Sequence, residues 1–225
     1  VFDRAKLDWF NTEYIRAYPA ERLLPLIEQE WKKAGIEVTG ASEPAIEQGR
    51  PDRAGTSPGG AEYVSPERKS WDGQQDDWSR VGTVQASARA WLLSTIDMLK
   101  PRARSLKDFA GSFRAFFTDE FDPDPAAVEK FLKDDNVRKL LVELGERYAQ
   151  ASDFTEADAE KILRDFAAQK GIKAGVLING ARVALTGQGV APSLFAVMKI
   201  LGKDRTTDRL KAAATLAAGV TVIPN

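Results

Sequence analysis

The stretch Thr155-Glu156-Ala157-Asp158-Ala159-Glu160-Lys161-Ile162-Leu163-Arg164-Asp165-Phe166-Ala167-Ala168-Gln169-Lys170-Gly171 contains a complete helix signature. Thr155 and Asp158 stand three apart, the spacing at which each side chain satisfies the other residue's free backbone N–H, so the pair reads as a capping box. Ala159, Ile162, Leu163, Phe166 and Ala167 then recur at helical spacing and form one apolar stripe, and Gly171 supplies the left-handed stop. The same periodicity extends over most of the chain. Leu23, Leu24, Ile27 and Trp31 make one stripe; Ala88, Trp91, Leu92, Thr95 and Leu99 a second; Val137, Leu140, Leu141, Leu144 and Tyr148 a third. No alternating run of β-branched residues competes, which predicts an all-α fold of packed helices with short connectors.

Two interruptions organise the chain. Residues 40–82 hold seven of the 17 glycines and four of the 11 prolines without a sustained apolar stripe, so they read as a long irregular insertion. Tyr63, Trp71 and Trp78 within it are unusual for a disordered tract and suit pinning to the body or to a partner. At Asp122-Pro123-Asp124-Pro125, two prolines in four residues forbid a continuous helix, and we place a boundary there. The expectation is two consecutive helical bundles, residues 1–122 and 123–225.

Composition narrows the chemistry. The 225 residues include neither cysteine nor histidine. A disulfide, a thiolate nucleophile, a Ser-His-Asp triad and a zinc site of the usual ligands are therefore all excluded. No segment approaches the roughly 20 apolar residues of a membrane span. Gly187-Gln188-Gly189 lacks the spacing and preceding strand of a phosphate loop and reads as a turn. The carboxylate pairs Asp76-Asp77 and Asp134-Asp135 sit in polar segments that suit solvated surface better than acid/base work. We assign no catalytic, cofactor or metal residue. The net charge of −1 conceals an asymmetry: residues 1–160 carry −8 and residues 161–225 carry +7. The basic C-terminal part fits either a polyanion such as RNA or a solvated helix surface. Val1 in place of Met points to a piece of something longer.

Motifs add a specific resemblance. Phe2-Asp3-Arg4-Ala5-Lys6-Leu7-Asp8-Trp9-Phe10-Asn11-Thr12-Glu13-Tyr14-Ile15 resembles the F-D-x-x-K-L-x-W-x-N-x-x-Y-I segment of bacterial glutamyl-tRNA synthetases. Lys100-Pro101-Arg102-Ala103-Arg104-Ser105-Leu106-Lys107-Asp108-Phe109 is similar to their R-P-R-x-x-T-L-K-E-F. Arg182 to Gly187, then Pro192, Leu194 and Phe195, then Leu201 to Arg205, follow the order of their R-x-A-L-T-G, P-G-L-F and L-G-K-E-R signatures. Gly180 and Ala181 depart from the usual Pro-Leu, Ala191 from a frequent Thr, and Ser193 from Gly. The resemblance covers nearly everything outside residues 40–82 and the tail 211–225.

This resemblance implies the C-terminal anticodon-binding region of a class I synthetase whose catalytic half lies outside the chain. ATP and Mg²⁺ would belong to that half, and the chain alone would activate no amino acid. The implied partners are a glutamate tRNA and the chain's own missing N-terminal catalytic domain, in a cytoplasmic protein and a monomer. Arg102, on a connector between a proline-terminated helix and a Ser105–Asp108 capping box, aligns with the arginine that faces the third anticodon base. A guanidinium offers only donors, matching the two acceptors of the cytosine Watson–Crick edge better than guanine's two donors and one acceptor. The same arginine could instead satisfy the last carbonyls of the preceding helix. Arg182, Ala191, Pro192 and Leu194 align with a second anticodon cluster, although Pro192 also suits the start of a helix that ends near Gly202, and Leu194 an ordinary core stripe. Arg104 and Lys173 are candidates for the RNA backbone. Trp9, Asn11 and Tyr14 suit core and domain-junction packing. The competing function is a helical protein-interaction scaffold that uses residues 40–82, with Trp71 and Trp78 as anchors.

Overall fold

A computed structural model describes residues 4–39 and 76–216; side chains are described from Lys6 and, after the gap, from Ala86. Among the described residues all regular structure is helical: α1 (Arg4–Ala17), α2 (Ala20–Lys33), α3 (Asp76–Leu99), α4 (Arg114–Phe117), α5 (Pro125–Phe131), α6 (Asp135–Gln150), α7 (Glu156–Gln169), α8 (Ala174–Thr186) and α9 (Leu194–Ala212). Single 3-10 turns cover Lys100–Arg102, Leu106–Phe109 and Ala213–Thr215. Most of the segment read as an irregular insertion, including Tyr63 and Trp71, lies outside the described residues. Helix α3 starts at Asp76, so residues 76–82 are helical.

Each stripe meets its expected fate with one shift. Leu23, Leu24, Ile27 and Trp31 are buried, as are Val137, Leu140, Leu141, Leu144 and Tyr148. In α3 the deepest positions are Thr95, Ile96 and Leu99, while Trp91 and Leu92 lie at the margin. The capping box at Thr155 forms, and Gly171 takes φ +67° beyond the end of α7. No helix crosses residues 118–124; Asp124 caps α5 by accepting from Ala126 N at 3.0 Å, with Pro125 in its first turn.

Helices α1 to α3 pack with the connector of residues 100–109, and α5 to α9 pack with one another. Aromatic residues hold the first group together. Trp31 and Phe117 have ring centroids 4.6 Å apart, and Trp31 Nε1 donates to the Phe109 carbonyl at 3.0 Å. Between the groups, Trp91 Nε1 on α3 donates to Ile200 O on α9 at 2.7 Å.

Helix α9 is bent. Its first part ends at Gly202, where the sequence placed a helix end; this residue takes φ +79° and ψ 170°, a non-helical conformation cheap only for glycine, and a second helical stretch runs on to Ala212. That kink carries Arg205 and Arg209 inward. Arg209 Nη1 donates to Ala115 O (2.8 Å) and Leu185 O (2.6 Å), and its Nη2 to Thr118 O (3.0 Å) and Asp119 Oδ1 (2.7 Å). Arg205 Nε donates to the same carboxylate oxygen at 3.0 Å. The guanidinium of Arg209 also lies over the Phe121 ring, 4.7 Å from its centroid. These two arginines spend most of their donors on residues 115–119 and, for Arg209, on Leu185 O as well, so they are packing elements rather than part of an exposed basic surface.

Candidate nucleic-acid interface

The connector after α3 is rigid by construction. Leu99 and Ala103 are fully buried on either side of Arg102, and Pro101 ends the helix. Ser105 and Asp108 form the expected capping box: Asp108 Oδ2 accepts from Arg104 N at 2.6 Å and from Ser105 N at 3.2 Å. The box opens one 3-10 turn rather than a long helix, because residues 110–113 turn back to place Phe109 and Phe113 edge to face at 5.6 Å. Anchored side chains thus flank exposed ones. Arg102, Arg104 and Lys107 point to solvent. Arg102 makes a long bond, Nη1 to Met98 O at 3.4 Å, which is the helix-end role available to it and one weak enough to exchange. Lys100 is committed elsewhere, paired with Asp97 at 2.6 Å and donating to Tyr18 O at 3.3 Å.

The second cluster sits at the end of α8 and in the loop to α9. Gly187 caps α8 at φ +70°, and a Cβ there would meet Phe121 and Pro123 at 3.1 Å, so the turn needs glycine twice over. Its carbonyl accepts from Asp124 N at 2.8 Å, and Thr186 Oγ1 accepts from Gln188 N at 3.2 Å, which fastens the start of the loop. Arg182 is half-buried: Nη1 donates to Asn179 Oδ1 at 2.8 Å, while its buried Nε has no hydrogen-bond partner. Ala191 is partly exposed. Pro192 is buried before the Ser193 N-cap rather than opening the helix, and Leu194 is buried at the start of α9. In this conformation the apolar contribution of the loop to its surroundings is Val190, 91% exposed. Lys173 is exposed at the N-cap of α8. No hydrogen bond or ion pair joins this cluster to the Arg102 connector among the described residues.

Sequence reasoning missed Asn179 and Val190. Asn179 stands three before Arg182 on a helix without acidic residues, the position from which an amide can orient the guanidinium. Val190 is an isolated β-branched residue between Gly189 and Ala191, a signal present but easily passed over. The charge asymmetry also needs correction as a guide to surface. Of the ten cations after residue 160, Arg205 and Arg209 are buried; Arg164, Lys170 and Lys199 are paired with glutamates; Lys203 donates to Ala151 O and Arg182 to Asn179. Among the described residues, Lys161, Lys173 and Lys211 remain with neither bond nor pair.

A comparison with known families matches residues 64–214 to the anticodon binding domain. The chain is 56% identical over 213 residues to glutamate–tRNA ligase 2 of Koribacter versatilis (strain Ellin345), an alignment covering 95% of this chain and 35% of that protein. It is 40% identical over 138 residues to the glutamate–tRNA ligase of Desulfotalea psychrophila, covering 60% and 28%. Its fold superposes on a crystal structure of a glutamate tRNA ligase from Elizabethkingia meningosepticum with a TM-score of 0.62 at 20% identity, over 96% of this chain and 33% of the other. The chain therefore spans about a third of the length of these relatives. With the matched segment running from within the insertion through the end of α9, the chain belongs to the anticodon-binding domain family.

Proposed function

We propose that this chain is the C-terminal, anticodon-reading portion of a glutamate–tRNA ligase, and that its partner is a glutamate tRNA. The observation that carries this reading is Arg102, an exposed guanidinium held between two buried residues on a turn with little freedom. A donor-only group on such a platform suits the O2 and N3 acceptors of a cytosine, the base expected at the third anticodon position. Arg182, oriented by Asn179, with Ala191 and the exposed Val190, forms the second contact, where a splayed base can meet a guanidinium plane and an apolar tip. Buried as they are, Pro192 and Leu194 contribute by shaping the loop. Lys173, Arg104 and Lys107 attract backbone phosphates.

The same proposal divides the chain at residues 122 and 123 into two bundles. Its support is the separate packing of α1 to α3 and of α5 to α9, with Asp119 and Arg209 as the fastening between them. Ligation itself, with its ATP and Mg²⁺, belongs to the part of the enzyme outside this chain. The alternative scaffold reading rests on residues 40–82, of which 40–75 lie outside the described residues and Trp78 has no described side chain, so nothing here favours it.

The test is the affinity ratio for two tRNAs that differ only in the third anticodon base, before and after Arg102→Gln, in the full-length ligase. Binding of the C-bearing tRNA should weaken by about 1–3 kcal/mol, the usual worth of a bidentate base contact, and that of the G-bearing tRNA by less. An amide carries both a donor and an acceptor and adapts to either edge. Equal losses for both tRNAs would place Arg102 on phosphate or in connector packing, and its role in discrimination would fall.

A further inference from the structure

The Arg102 connector and the loop with Ala191 and Val190 share no direct bond, yet each is the end of a stiff arm. One arm is the last part of α3, where Thr95, Ile96 and Leu99 are fully buried and Thr95 Oγ1 donates back to Trp91 O at 2.7 Å. The other is residues 194–201 of α9, which bury Leu194, Val197, Met198 and Leu201. The arms are joined by a side-chain hydrogen bond, Trp91 Nε1 to Ile200 O at 2.7 Å. At the helical rise, this bond lies about 12 Å along α3 from Leu99 and about 9 Å along α9 from Leu194. Gly202 explains why a donor is needed there. Ile200 stands in the last turn before the kink, and the N–H four residues on, its ordinary partner, lies beyond a residue at φ +79° and ψ 170° that breaks the ladder. Trp91 supplies the donor from another helix. Its ring is half-buried and meets Phe117 edge to face at 6.4 Å, so the indole is itself anchored.

The fastening of Arg205 and Arg209 on Asp119 grips α9 beyond the kink. A single fastening leaves rotation about itself; a second, placed elsewhere, removes it. We propose that Trp91 is a positioning residue for anticodon recognition: its indole N–H sets the register between the Arg102 contact and the Arg182 loop, so that one RNA loop meets both at once. The inference rests on the function proposed above. Because both contacts fall on one RNA loop, the second is made at an effective concentration set by how well the arms are aligned. Without the indole donor the arms sample other angles, and affinity falls with the fraction of molecules still in register. A protein that makes only one of the contacts has no register to keep. The indole therefore matters while both contacts exist and ceases to matter once either is gone, which separates positioning from plain stability.

Two variants test this. Trp91→Phe keeps an aromatic ring and removes the donor; the benzothienyl isostere of tryptophan at position 91 keeps the whole bicycle and removes only the N–H. In the full-length ligase, each should weaken binding of glutamate tRNA by about threefold to tenfold, the worth of one hydrogen bond. In the Arg102→Gln or Arg182→Gln background the same change should cost less than about twofold, a coupling that a double-mutant cycle reads directly. Geometry is read without RNA from spin labels at Lys107→Cys and Val190→Cys, which are unique in a chain that has no cysteine. The distribution of distances between the labels should broaden in Trp91→Phe. Equal losses in all three backgrounds would make Trp91 a stability residue and overturn the proposal, as would no loss in the parent or an unchanged distance distribution. A broadened distribution with neither Arg102→Gln nor Arg182→Gln weakening the tRNA would overturn the anticodon reading instead, and leave Trp91 as a brace between the two helical groups.

Discussion

Arg209 and Arg102 are the same residue type in the same fold and do opposite work. Arg209 is 8% exposed, spends its donors on three carbonyls and Asp119, and lies over the Phe121 ring. Arg102 stands in solvent with one long bond to Met98 O. A buried guanidinium is costly unless every nearby acceptor is used, and once paired its removal leaves a carboxylate and several carbonyls without partners. An exposed one on a fixed turn costs the fold little and keeps its donors for a ligand. Charge counted along the sequence treats the two alike; burial separates an arginine that builds the platform from one that reads with it.

The largest test of this contrast is Arg209→Met, which should destabilise the chain by about 3–5 kcal/mol in chemical denaturation, since Asp119 and the carbonyls of Ala115, Thr118 and Leu185 lose a shared donor. Arg102→Gln should leave the denaturation midpoint within about 0.5 kcal/mol of the parent while weakening the cognate RNA complex. If Arg102→Gln proves as destabilising as Arg209→Met, the connector arginine is structural and the contrast collapses.

Asp119 gives a smaller, pH-dependent effect. Burial raises its pKa, but the hydrogen bond from Arg209 and the charges of Arg205 and Arg209 outweigh burial and hold it below the ordinary carboxylate value. A group whose folded pKa is depressed contributes stability above its unfolded pKa and loses that contribution as pH falls through the folded one. Asp119→Asn should therefore lower the thermal midpoint at neutral pH, and the gap from the parent should close on acidification below the carboxylate range. A gap independent of pH would mean the carboxylate charge does not fasten the junction. Arg209 is shifted too, to about 10, by burial and then by repulsion from Arg205, with Asp119 opposing; it stays charged throughout that acid titration.

The smallest expected change belongs to the remaining exposed cations. Neutralising Lys173 and Arg182 together should weaken all tRNAs alike and reduce the salt dependence of binding by about two phosphate equivalents at most, the lower figure of one if Asn179 keeps Arg182 on a base. An unchanged slope would put the phosphate path elsewhere, with Lys161 and Lys211 next in line.

Much of this was legible before any coordinates. The capping boxes at Thr155 and Ser105, the proline stops at Pro101 and Pro123, and the α2 and α6 stripes depend on neighbours within a few residues, and all of them appear in place. Where the reading slipped, the cause was tertiary. Gly202 does end a helix, but periodicity did not show that a second one follows at once, packed with the rest of α9 against α6 and α8. Leu194 suited core somewhat better than RNA, and its burial at the start of α9 is what separates these.

What sequence alone determined, then, is the set of helices, the chemistry excluded by the lack of Cys and His, and the motifs that place the chain in its family. Those follow from local backbone preferences and from residue identity. Tertiary structure alone decided which cations face water, which apolar residues face nothing, and that Asp119 joins the two helical groups. Asp119 lies 86 and 90 positions from Arg205 and Arg209, and Tyr18, just past α1, meets Lys100 across 82. Burial is a property of such distant encounters, and neither composition nor periodicity carries it.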